Sequence, residues 1–182
     1  MLKSDMSDRT TRQLRVAGWS LAAVLLALPL IAMRFTTEVN WTASDFLVAA
    51  IVFGIVGGML ELAARASRNV AYRIATVLTV GGCFLIAWVS LAVGIIGEPG
   101  NPENIAYAAI VAMVATGAYA TRGAASGMAR ALRWVTGAQL LVALMHAGPA
   151  PMAVPFDLFL AMVWAIAALL FATARRATDQ AL

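Results

Sequence analysis

Six apolar runs, each close to the length a helix needs to cross a hydrocarbon core about 30 Å thick, leave this chain few folds to choose from. They are Val16 to Met33, Phe46 to Ala64, Ile74 to Ile96, Ile105 to Thr121, Ala129 to Ala147 and Phe156 to Ala174. A bilayer has no water to satisfy backbone polar groups, so runs of this length close their hydrogen bonds within themselves, as helices. Composition agrees: 62% of the 182 residues are hydrophobic and 12% charged, against roughly 45–50% and 25% in soluble domains. The expected fold is all-α, a polytopic transmembrane helix bundle of six spans occupying residues 16–174, with tails at 1–15 and 175–182.

Basic residues fix the expected orientation, because short cytoplasmic loops carry the excess of Lys and Arg. With the N-terminus inside, twelve of the thirteen basic residues fall on the cytoplasmic side and only Arg34 falls outside. Both termini are therefore expected in the cytoplasm. A net charge of +4 raises nucleic acid as a partner, but that needs basic residues gathered on one water-exposed face. Here they flank apolar runs, so the bilayer is the expected partner and nucleic acid is not. Arg12 and Arg15 ahead of the first run resemble a signal peptide. The apolar stretch is longer than a usual h-region and Met33-Arg34-Phe35 is no cleavage site, so an uncleaved span is expected.

The fifth run is the least regular. Arg130 and Arg133 intrude on it, and crossing requires both to snorkel toward inner headgroups beside an interfacial Trp134. The connections are short and rich in turn-formers, as in Glu98-Pro99-Gly100-Asn101-Pro102, and none encloses a soluble core. Asp45, Asn104 and Asp157 stand at the starts of helices two, four and six, where side-chain oxygens cap first-turn amides.

Candidate functional residues are few. Glu61 is the carboxylate placed within a span, and ionisable groups at that depth suggest ion or proton pathways. Arg65 follows at the favourable i, i+4 spacing and Arg73 opens the next helix, so an interfacial ion pair is the structural alternative. Gly54, Gly57 and Gly58 form a small-residue face on the same helix, suited to close helix packing, with Gly81 and Gly82 as a facing surface. The outer loop holding Glu38, Asn40, Trp41 and Asp45 reads as an anchored hairpin or as a docking surface.

His146, the single histidine, with Met145, Met33 and Met152 suggests a soft Cu(I) site. With nine Met in the chain, chance proximity is the simpler account. A water-facing proton acceptor is the other reading of His146. The single cysteine, Cys83, permits neither an internal disulfide nor a cysteine metal cluster within one chain. Phosphate loops, nucleophile elbows and paired histidines are missing, so no catalytic residue, metal or cofactor is expected and the chain is not read as an enzyme.

Glu38-Val39-Asn40-Trp41-Thr42 through Asp45-Phe46, then Glu61-Leu62, then Trp88 with Leu91-Ala92-Val93-Gly94-Ile95-Ile96-Gly97, resemble a family of small bacterial inner-membrane proteins of unknown function. The resemblance covers about the first half of the chain. It implies a bacterial inner membrane and carries no activity, so no site is transferred from it. The expected function is that of a non-enzymatic accessory, assembly or scaffold component of a membrane complex, associating with a membrane-protein partner or with a second copy. The alternative is a small transporter or proton-coupled permease using Glu61.

Overall fold

A computed structural model of the chain describes residues 2–36, 40–67, 69–92, 94–98 and 100–179, with the side chains at 2–12, 14, 63, 64, 66, 92 and 176–179 outside that description. Among the described residues there are six α-helices and no strand. They are α1 (Leu2–Ala32), α2 (Ala43–Ala66), α3 (Val70–Ala92), α4 (Ile105–Thr121), α5 (Ala125–His146) and α6 (Val154–Asp179). Single 3-10 turns, Pro102–Asn104 and Pro151–Ala153, lead into α4 and α6. The helix of α1 starts at Leu2, well ahead of its apolar stretch at Arg15–Ala32. The chain divides into two compact units, Met1–Leu62 and Ala63–Leu182.

In the first unit, Gly57 on α2 receives the indole of Trp19 on α1: a Cβ added there would lie 2.7 Å from the ring. Its start is set by Thr42, which corrects the expectation that Asp45 caps it. Thr42 backbone N and Oγ1 both donate to Asp45 Oδ2 at 2.7 Å, and Asp45 N donates weakly to Thr42 Oγ1 at 3.4 Å. This is a reciprocal capping box with a carboxylate at its third helical position. The arrangement leaves fewer first-turn amides without a partner than a lone cap does.

The second unit is a ring of four helices in which α3 touches α4 and α6, and α5 packs between α4 and α6. Its core is built from Ala75 and Ile86 of α3, Ile110 and Val114 of α4, Leu132 and Val135 of α5, and Leu160 and Phe171 of α6. Small residues let the helices approach. A Cβ on Gly82 of α3 would stand 2.5 Å from the Trp164 ring of α6, and one on Gly117 of α4 would stand 2.7 Å from Ala131 Cβ of α5. Gly82, read from sequence as a partner for α2, thus seats an indole of α6.

Two connections are locked by side chains. Arg122 and Gly123 turn α4 into α5 at positive φ, 49° and 70°, and Tyr72 Oη donates to Gly123 O at 2.8 Å, tying that turn to α3. At the opposite end Asn104, expected to cap α4, makes no capping bond. Its Oδ1 accepts from Ile96 N at 2.9 Å, and its Nδ2 donates to Ile96 O at 3.3 Å and Glu98 O at 3.0 Å. The amide is spent on the loop because a buried loop backbone has to find partners from side chains.

Five helices are long and apolar enough to cross a membrane. The sixth, α5, is 22 residues long, about 33 Å at 1.5 Å per residue, and falls short on composition only. Arg130 and Arg133, both exposed, lower its hydropathy together with Gln139 and His146. Gln139 and His146 face the interior, while Trp134, Leu141, Leu144 and Met145 lie on the outside.

Candidate functional site: a buried carboxylate and imidazole

At the end of the second unit where α5 stops and α6 begins, Asp157 is fully buried. It was expected to cap α6, but that helix starts at Val154 and Asp157 lies inside its first turn, facing the interior. An isolated carboxylate in such a place carries a large desolvation cost, so its partners decide whether the fold tolerates it. His146 Nδ1 stands 2.8 Å from Oδ2, and Gln139 Nε2 donates to Oδ1 at 3.0 Å. The Tyr107 hydroxyl of α4 is 3.5 Å from His146 Nδ1 and within bonding reach of the same carboxylate. Behind them Trp164 Nε1 donates to Gln139 Oε1 at 3.4 Å.

Every member of this group is buried, and His146 alone keeps a residual exposure, of 7%. Among the described residues no buried side-chain nitrogen or oxygen lacks a hydrogen-bond partner. The network reaches inward from the helix ends: His146 to Gln139 and Asp157 to Trp164 are each seven residues, two helical turns or about 10 Å. Trp164, in turn, rests against Gly82 on α3. All four helices of the ring therefore meet at this column.

Chemically the column offers one carboxylate, one imidazole, two neutral groups placed to donate to them, Gln139 and Tyr107, and the Trp164 indole that donates to Gln139. A carboxylate bonded to an imidazole at 2.8 Å can share, accept and release a proton. No set of three His, Cys, Asp or Glu side chains converges among the described residues, and Met145 and Met152, read near His146, are exposed.

The residues singled out in the sequence lie elsewhere. Glu61 Oε1 is 2.7 Å from Arg15 Nη2, a partner on α1 that the sequence reading did not consider. Arg65 sits in the last turn of α2, and Arg73 Nε donates to Ser67 O at 2.8 Å. Of the three glycines on α2, Gly57 packs against Trp19, while a Cβ on Gly54 or Gly58 would meet nothing within 4 Å. Between α1 and α2, Trp41 packs edge-on against Phe46, with centroids 5.2 Å apart, Asn40 is exposed, and Asp45 belongs to the capping box. Glu38 lies outside the described residues.

The Asp157 column had one signal in the sequence. Gln139 and His146, and likewise Asp157 and Trp164, are spaced by two helical turns on consecutive helices joined by a short turn. That spacing puts each pair on one helix face. No family model, no curated protein and no solved structure matches this chain.

Proposed function

We propose that this chain is a six-span protein of a bacterial inner membrane, with both ends in the cytoplasm, that takes up and releases a proton at Asp157 and His146 as a small proton-coupled permease does. The observation that carries the reading is a fully buried carboxylate bonded to the single histidine of the chain at 2.8 Å. Ionisable groups inside membrane helices are expensive, and their usual use is in ion and proton pathways. The coupling group is thus Asp157 rather than Glu61, whose charge is matched by Arg15 at 2.7 Å.

Six crossings are supported by the length of α5 and by its packing between α4 and α6. The N-in, C-in orientation rests on the distribution of Arg and Lys. Purified protein in vesicles that trap a pH-sensitive dye tests the function. Wild type is expected to pass protons down an imposed gradient, alone or with a co-substrate from a solute panel, and Asp157→Asn to pass none. Equal flux from both proteins would remove the reading.

A second reading, an accessory or assembly component of a membrane complex, is favoured by the open positions at Gly54 and Gly58. Their i, i+4 spacing gives another helix close access to the α2 backbone. Purification from the native membrane in mild detergent decides it: a stoichiometric membrane-protein partner, lost on Gly54→Leu, supports it, and a homogeneous single chain counts against it.

A further inference from the structure

The direction of the hydrogen bonds running from Trp164 through Gln139 to Asp157 follows from the one group that has no choice. An indole N–H can only donate. Trp164 Nε1 donates to Gln139 Oε1, so the amide presents its NH₂ to Asp157, and Oδ1 receives a hydrogen from Gln139 Nε2. An oxygen that already accepts there cannot direct a carboxylic O–H along the same line. The exchangeable position left on the carboxylate is Oδ2, which faces His146 Nδ1 at 2.8 Å.

The other imidazole nitrogen is placed differently. Among the described residues the polar contacts of His146 all run through Nδ1, to Asp157 and to Tyr107. No buried side-chain nitrogen or oxygen is left unpartnered there, and His146 ends α5 with a residual exposure of 7%. Nε2 is therefore the atom through which the sealed column touches the surface. The groups facing the pair from the packed helices are Tyr107 from α4, Gln139 from α5 and Trp164 from α6, while α3 contributes Gly82 against the indole. His146 is the only ion-pair partner of Asp157 among the described residues.

We propose that His146 is the port of the site: a proton enters at Nε2 while the Nδ1 proton passes to Asp157 Oδ2, with Gln139 and Trp164 as positioning residues that confine the exchange to that oxygen. The step balances. Water or a buffer acid gives one proton to Nε2, the N–H bond at Nδ1 breaks, an O–H bond forms at Oδ2, and the imidazole is left neutral in its other tautomer. Reversal discharges the site through the same nitrogen. The inference rests on the proton-binding reading above and names its atoms.

Because the chain has one histidine, nitrogen-15 labelling of histidine yields a single imidazole whose two nitrogens report protonation directly. In the full chain embedded in lipid nanodiscs at alkaline pH, the expected state has Nδ1 of pyrrole type and Nε2 of pyridine type. Asp157→Asn is expected to invert this. Gln139 still donates to the amide oxygen, so the Asn NH₂ points at Nδ1 and the proton moves to Nε2. Adding Trp164→Phe frees Gln139 to turn over, and a mixture of both tautomers is expected.

A wild-type imidazole with pyridine-type Nδ1 overturns the proposal, as does an Asp157→Asn spectrum unchanged from wild type. Should Asp157→Asn fail to fold, the wild-type tautomer decides, with the Trp164→Phe single variant as the control. That variant is expected to keep the wild-type tautomer at alkaline pH, because the ionised carboxylate holds the imidazole N–H by itself. The expected tautomers without proton flux in vesicles would remove the permease reading and leave the port in place.

Discussion

His146 Nδ1 and Asp157 Oδ2 are 2.8 Å apart at the junction of α5 and α6, with the carboxylate fully buried and the imidazole nearly so. The two residues are eleven apart in sequence, and the 3-10 turn Pro151–Ala153 brings them face to face. A buried pair of this kind is held in place as much by what its loss exposes as by its own attraction. Removing one partner strands the other in a place with no water.

That asymmetry separates two substitutions at one position. Asp157→Ala leaves Gln139 and His146 facing a void with donors unsatisfied, and a loss of about 3–5 kcal/mol is expected. Asp157→Asn keeps the shape and both hydrogen-bonding positions, so a loss nearer 1 kcal/mol is expected, in line with one altered hydrogen bond. Thermal unfolding in detergent, followed by tryptophan fluorescence, ranks the two. Equal losses would mean that the column does not depend on these bonds.

Gly82 and Gly81 make a matched pair on α3. A methyl on Gly82 would meet the Trp164 ring at 2.5 Å, whereas one on Gly81 would meet nothing within 4 Å. Gly82→Ala is expected to cost about 1–3 kcal/mol, the usual range for overpacking a filled site. Gly81→Ala is expected to be neutral or slightly stabilising, since alanine is the better helix former. Displacement of the indole should also disturb the bond to Gln139, so Gly82→Ala should alter the nitrogen-15 spectrum of His146 and Gly81→Ala should not.

Glu61 and Arg15 are 2.7 Å apart, yet their side chains keep 23% and 43% exposure. Pairs so open to their surroundings contribute roughly 0–1 kcal/mol. Glu61→Gln is therefore expected to shift the unfolding midpoint by no more than that, and to leave proton flux at the wild-type level. Loss of flux in this variant would return the coupling role to Glu61.

Much of the architecture was legible because bilayer thickness dictates helix length. The fourth span was expected at Ile105 to Thr121, and α4 has those bounds. The first helix begins at Leu2, fourteen residues ahead of the expected Val16, and the others differ by a few residues at their ends, where caps decide and apolar periodicity is silent: Thr42, not Asp45, starts α2. Asp157 was hidden for a related reason. An acidic residue near a helix start suits a cap, and only the 3-10 turn ahead of α6 moves it inside the helix and toward His146. For α5 a hydropathy reading averages over all faces. Beside the exposed Arg130 and Arg133 it counts Gln139 and His146 against a membrane span, although both face the interior of the unit, each matched by a group on α6 or α4.

The crossing of α5 has its own test. Met152, 92% exposed, sits in the 3-10 turn ahead of α6, and Ser126 is exposed in the first turn of α5. The helix between them is about 33 Å long at its rise of 1.5 Å per residue, enough to separate them by a whole hydrocarbon core. Cysteine placed at either position, with Cys83→Ser removing the single native thiol, reports which side it faces through an impermeant maleimide applied to intact cells. Met152→Cys is expected to label at once. Ser126→Cys is expected to label only after the membrane is opened, because the proposed orientation sets Arg122, Arg130 and Arg133 at the cytoplasmic headgroups. Labelling of both in intact cells would lay α5 along the outer surface. Labelling of Ser126→Cys alone would invert the orientation and put the His146 end in the cytoplasm.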